Sequence, residues 1–185
     1  MVKSQSISQQ QSLLLVIDIQ GRLAPAIDHA RDIVHSADRL LNVASELQIP
    51  CIFTEQYPQG LGTTVEQLSS HLPNATLFEK IHFSAHRETD FANHLKQQER
   101  PQIVLIGTES HVCVLQTALD LLAAGYQVFI VEDAVGSRNP SDKGLALARL
   151  AAAGAVVVSS EMVIFEWLER AGTDSFRHIS KTYIR

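Results

Sequence analysis

The sequence predicts an α/β protein, a three-layer αβα sandwich around a mostly parallel six-stranded sheet. Four short apolar runs, at 13–17, 103–106, 128–131 and 155–158, do not alternate with polar residues. Unbroken runs of Leu and β-branched residues belong to strands buried on both faces, as in parallel sheets. Helical patterns lie between the runs. Strand and helix therefore alternate along the chain, the order that places helices on both sides of a sheet through right-handed crossovers. No internal repeat or linker divides the 185 residues, a length that suits one domain with a sizeable core.

Residues 1–11 are polar and rich in Ser and Gln. They carry neither the apolar stretch of a secretory signal nor an arginine, so a flexible leader is expected ahead of a single domain at 12–185. The first strand is 13–17. Ala30, Ile33, Val34, Ala37, Leu40, Leu41, Ala44 and Leu47 then fall on one helix face. Pro50 ends that helix, because the residue before a proline is pushed out of helical geometry. Segments 52–54 and 77–80 are weaker strand candidates. Between them, 57–62 holds Pro58, Gly60 and Gly62 and reads as a loop at the rim of the sheet, where loops shape pockets. Segment 112–124 is helical and stops at Gly125. Ser141 caps a helix over 141–153 that stops at Gly154, and a short helix over 161–170 stops before Gly172.

Composition excludes several function classes. The formal net charge is −5 and there is no basic run, which argues against nucleic acid or an anionic membrane as partner. No apolar stretch is long enough to span a bilayer. Two cysteines, Cys51 and Cys113, make a disulfide framework unlikely in so long a chain and point to a reducing, cytoplasmic setting.

Three residues stand at strand ends on one edge of such a sheet, where open α/β folds place their sites. Asp18 follows five apolar residues, and a carboxylate there is costly to bury without a purpose. It suits a base that takes a proton and later returns it; it also suits a turn or helix cap. Cys113 lies where a strand gives way to a helix. A thiol at a helix N-terminus faces free backbone N–H groups and the positive end of the dipole, which favour thiolate. A buried, inert cysteine fits the same position. Lys80, at the end of 77–80, can lower a neighbouring thiol's pKa and compensate a carboxylate; alone it also reads as a surface lysine. His82 and His86 are four apart, but no further ligand completes a metal set. His111 is two residues from Cys113, and neighbours so close in a turn usually point apart, which puts it behind Asp18 as a base.

These segments resemble the isochorismatase-like (cysteine hydrolase) superfamily. The carriers are Val16-Ile17-Asp18-Ile19-Gln20, Glu79-Lys80-Ile81-His82-Phe83-Ser84, the stretch 107–118, Glu132-Asp133-Ala134-Val135-Gly136-Ser137-Arg138, and the stretch 154–161. Together they cover about 12–169, and three such motifs in order are far more specific than one. Thr54-Glu55-Gln56-Tyr57-Pro58-Gln59-Gly60-Leu61-Gly62 is similar to the signature of the isochorismatase domain-containing subgroup. The resemblance implies strand order 3-2-1-4-5-6, a catalytic triad of Asp18, Lys80 and Cys113, and a cis peptide between Thr108 and Glu109. That bond would aim the N–H groups of Glu109 and Cys113 at an oxyanion. It implies no cofactor, and no metal, since the region that carries an Asp-x-His ligand pair in related nicotinamidases reads Thr54-Glu55-Gln56-Tyr57 here. It also implies a homo-oligomer. Because Cys113 is present, the implied reaction is hydrolysis of a C–N, amide-like bond of a small molecule through a cysteine thioester. An ether or ester hydrolase, or a redox or binding protein without turnover, are the alternatives. Gln20, Leu23, Phe53, Tyr57 and His82 lie near the three motifs and are expected to line the substrate pocket.

Overall fold

The computed structural model of the protein describes residues 6–184. Six strands form one sheet: β1 (Ser12–Ile17), β2 (Cys51–Gln56), β3 (Thr76–Lys80), β4 (Gln102–Thr108), β5 (Gln127–Gly136) and β6 (Val156–Val158). Their order is β3-β2-β1-β4-β5-β6, and every neighbouring pair is parallel. The chain runs outward in one direction from β1 and in the other from β4, so the switch point lies between these two strands.

Side chains alternate across the sheet and build two cores. Leu14, Val16, Phe53, Val104, Ile106 and Phe129 face one side, where α1 (Ala30–Glu46), α7 (Ser160–Leu168) and α8 (Asp174–Ile179) pack on them. Leu13, Leu15, Ile17, Ile52, Ile103, Leu105 and Ile130 face the other. Against them lie α4 (Thr89–Gln97), α5 (Leu115–Ala123) and α6 (Pro140–Ala152). Full burial of one such side chain is worth about 1.5–3 kcal/mol, so the apolar runs lock both layers to the sheet.

Several details depart from the sequence reading. Residues 6–11, expected to belong to a flexible leader, are held in place: Ile7 is 2% exposed within the core, and its N–H donates to Glu166 Oε2. The remainder of that leader, 1–5, lies outside the described residues. Segment 57–62 contains a short helix, α2 (Pro58–Leu61), and a second, α3 (Glu66–Ser69), follows it. The expected helix at 112–124 is split. A wide turn with π-type hydrogen bonding (Ser110–Val114) precedes α5, because Val114 N–H reaches back five residues to the Glu109 carbonyl.

The ends of β1 and β4 are tied closely together. Gly107 has φ +131, and a Cβ there would run into the Ile17 backbone, so only glycine fits. The Thr108 hydroxyl donates to the Asp18 carbonyl at 2.7 Å. Asp18 itself sits in the left-handed region at φ 49, which turns its side chain out of the strand repeat.

Candidate active site

Asp18, Lys80 and Cys113 come from the ends of β1, β3 and β4, and the fold brings them together. Asp18 is 0% exposed, Lys80 2% and Cys113 5%. Asp18 Oδ1 accepts a 2.7 Å hydrogen bond from the Thr54 hydroxyl. Asp18 Oδ2 lies 2.7 Å from Lys80 Nζ. That contact is a buried ion pair at the distance of a charge-assisted hydrogen bond. Nζ also lies within hydrogen-bond distance of Gln56 Oε1 at 2.6 Å, the Phe83 carbonyl at 3.1 Å and the His82 carbonyl at 3.3 Å. The Cys113 thiol interacts with both Asp18 and Lys80. A buried ion pair and a thiol thus share one small space.

The electrostatics correct one expectation. Burial pushes the Cys113 thiol up to about 12, the Asp18 charge adds to that rise, and the Lys80 ammonium opposes it. The resting group is therefore a thiol. Desolvation and the Asp18 charge together outweigh the cation that the sequence reading set against them. A nucleophile here has to hand its proton to a neighbour, and Asp18 is the carboxylate beside it.

The turn that carries Cys113 is braced from outside. The peptide between Thr108 and Glu109 is cis. The Glu109 carboxylate takes a 2.6 Å hydrogen bond from Arg138 Nε. Its carbonyl accepts from the N–H groups of Val112 and Val114. Its own N–H donates to no backbone carbonyl among the described residues and is free for another acceptor. His111 Nδ1 lies 2.9 Å from Ser137 Oγ, and its other ring nitrogen faces Asp142, so His111 is engaged with the β5–α6 loop.

The isochorismatase domain family matches residues 12–162. The chain belongs to that family. It is 40% identical to isochorismatase family protein 1A of Dictyostelium discoideum over 179 residues, 94% of this chain and 86% of that one. A solved MAR1 ribonuclease from Caenorhabditis elegans superposes with a TM-score of 0.90 at 37% identity, covering 95% of this chain and 91% of its own. The YcaC gene product of Escherichia coli, described as an octameric hydrolase of unknown specificity, has a TM-score of 0.92 at 22% identity, covering 100% and 93%. At that identity the likeness is one of fold. The protein is thus an isochorismatase-family hydrolase.

Within this isochorismatase-family frame the expected pocket residues divide. Phe53 is 1% exposed in the core on the α1 side, whereas Cys113 belongs to the core on the other side. Strand alternation therefore takes Phe53 out of the pocket. Gln20 is 0% exposed and fully engaged. Its Nε2 donates to the carbonyls of Gln56 and Gly62, and its Oε1 accepts from Gln56 N–H, so it holds β2 to the loop after it and offers a substrate nothing. Leu23 is half-buried in the turn after β1. Tyr57 is 57% exposed. It lines a cavity of about 460 Å³ with Glu79, Lys80, Ile81 and Glu88. His82 is exposed, and its Nδ1 lies 2.9 Å from Glu88 Oε1. His86 turns toward the Tyr126 ring, so the two histidines do not converge. Thr54 and Gln56 were not singled out by residue reading, yet Thr54 touches Asp18 and Gln56 touches Lys80. The available signal was three polar residues, Thr54, Glu55 and Gln56, closing a strand that is buried.

Proposed function

We propose that the protein is a cysteine hydrolase that cleaves a C–N, amide-like bond of a small molecule. The observation that carries this reading is the Asp18 carboxylate, buried beside a protonated thiol and a fixed ammonium. Asp18 takes the Cys113 proton as the sulfur attacks the substrate carbon. The sulfur–carbon bond forms, the carbonyl π bond opens, and the oxyanion is held by the N–H groups of Glu109 and Cys113. The C–N bond then breaks, the amine leaves with the proton from Asp18, and a thioester remains. Water attacks the thioester, Asp18 accepts its proton and returns it to the sulfur, and the carboxylic acid departs. Lys80 keeps its charge throughout and offsets the anions that form beside it.

The net charge of −5 and the absence of a basic run support a small substrate and speak against carrying over the ribonuclease name of the Caenorhabditis elegans relative. Cys51 and Cys113 are both free thiols, which supports a reducing, cytoplasmic setting. No helix among the described residues is long and apolar enough to cross a membrane. Ile81 and Phe83, 80% and 53% exposed beside Lys80, supply an apolar face for a homo-oligomer.

A panel of small amides, esters and vinyl ethers tests the reaction class. The expected result is amine release from an amide, with an acyl mass added to the peptide containing Cys113, and both lost in Cys113→Ala. Turnover that survives Cys113→Ala would reject the covalent route in favour of the ether or ester alternative.

A further inference from the structure

We infer that Arg138 is a positioning residue for the oxyanion step: it holds the Glu109 carboxylate and cancels its charge beside the point where negative charge develops. The inference rests on the hydrolase reading above and assigns a role to a side chain that acts through Glu109 rather than on the reacting atoms.

Thr108 pairs with Gly136 at the ends of β4 and β5, after a register shift opposite Leu105 to Gly107. The residues that follow therefore leave the sheet side by side. Ser137 Oγ meets His111 Nδ1 at 2.9 Å, and Arg138 Nε donates to Glu109 Oε1 at 2.6 Å. Two consecutive residues of the β5–α6 loop thus hold two residues of the turn that carries Cys113. The Glu109 side chain is 13% exposed and the Arg138 side chain 59%. Arg138 reaches in from solvent to a carboxylate that water covers poorly. The Glu109 carbonyl is held separately, by the N–H groups of Val112 and Val114, so the shape of the turn does not depend on the arginine.

A glutamate is an awkward residue for this place. Its N–H is one of the two proposed oxyanion donors. Covalent geometry keeps a glutamate carboxylate within about 6 Å of its own backbone nitrogen. An oxyanion at hydrogen-bond distance from that nitrogen then lies within about 9 Å of the carboxylate. At that range, beside buried groups, two like charges oppose each other appreciably. Asp18 and Lys80 form an ion pair and offset one another. The Glu109 charge is offset by Arg138. The sulfur is a different matter, because the charges that act on the Cys113 thiol are those of Asp18 and Lys80. Arg138 therefore bears on the oxyanion and not on activation of the thiol.

The test compares two reactions of one sulfur. Iodoacetamide alkylates a thiol by displacement at a tetrahedral carbon, with no oxyanion. The ester p-nitrophenyl acetate acetylates it through a tetrahedral oxyanion, and p-nitrophenolate leaves. Both rates at Cys113 are followed by peptide mass spectrometry, with Cys51 of the same chain as internal reference, and thermal unfolding of each variant checks the fold. In Arg138→Met, acetylation of Cys113 is expected to slow on the order of tenfold while alkylation keeps its wild-type rate. The double variant Glu109→Gln, Arg138→Met removes the stranded charge and keeps the backbone N–H, so acetylation is expected to recover most of the loss. Wild-type acetylation in a folded Arg138→Met protein overturns the inference. So does an equal fall in both reactions, the mark of a merely structural role. A double variant no faster than the single one overturns it as well, because the Glu109 charge is then not the obstacle. Wild-type Cys113 that acetylates no faster than Cys51 is a different result: the oxyanion site itself is then absent, and the hydrolase reading falls with the inference.

Discussion

Lys80→Met is expected to destabilise the protein by about 3–5 kcal/mol, the range seen when one partner of a buried ion pair is removed. The side chains of Lys80 and Asp18 are both 0% exposed. Methionine fills the volume of the lysine stem but leaves the Asp18 carboxylate without its cation, and leaves the Gln56 amide and the Phe83 and His82 carbonyls without their donor. Urea unfolding followed by circular dichroism measures the loss. The double variant Asp18→Asn, Lys80→Met removes both charges and is expected to recover a large part of it. Recovery would show that the penalty comes from the stranded carboxylate rather than from misfit of the methionine. A single variant as stable as the wild type would mean that water reaches the pair and that the site is not enclosed.

Asp18→Asn is expected to lower turnover of any amide substrate by about 10²–10⁴, the usual contribution of a positioned general base. Asparagine keeps an oxygen to accept from the Thr54 hydroxyl but leaves the Lys80 ammonium without its counter-charge, so thermal unfolding of the variant is measured alongside its rate. Asparagine cannot take a proton from the thiol. Because burial holds the Cys113 thiol near 12, about one molecule in 10⁵ is ionised at pH 7 without help. Steady-state rates of amine release from wild type and variant, from pH 6 to 10, measure the effect. The variant should regain activity as pH rises, about tenfold per unit, since hydroxide increasingly replaces the missing base while the thiol stays below its pKa. A variant that retains wild-type rates at pH 7 would remove Asp18 from the reaction.

The sheet was legible in the sequence wherever strands are buried on both faces. Leu13 to Ile17 and Ile103 to Ile106 are unbroken apolar runs because each side meets a helical layer. β2 was weaker for an instructive reason. Its second half, Thr54, Glu55 and Gln56, is as buried as its first, but it is polar because it serves the site: Thr54 holds Asp18, Glu55 holds Thr64, and Gln56 holds Lys80. Local pattern fails where function overrides it. α4 was missed because only Phe91 and Leu95 are buried among its nine residues, too few to give a helical period.

The three candidate site residues were legible because each interrupts an apolar segment at a strand end, and strand ends on one edge of a parallel sheet converge. Their surroundings were not. Phe53 and Gln20 were assigned to the pocket from nearness along the chain. A strand sends neighbouring side chains to opposite faces, and a glutamine beside a loop is as readily consumed by backbone groups as by a ligand. The protonation of Cys113 was also beyond reach. Position relative to a helix end was visible in the sequence, but the extent of burial, which dominates, was not.

The most direct test of the central claim, that Asp18 activates Cys113, compares the two cysteines of one chain. Burial pushes both Cys51 and Cys113 up to about 12, so ionisation alone gives neither an advantage. Of the two, only Cys113 has a carboxylate beside it. Iodoacetamide at pH 7 is therefore expected to label Cys113 at least about tenfold faster than Cys51 in the wild type, whereas in Asp18→Asn, which has no base, Cys113 labelling is expected to depend on hydroxide and rise about tenfold per pH unit. Equal labelling of the two cysteines in the folded wild-type protein would contradict the claim.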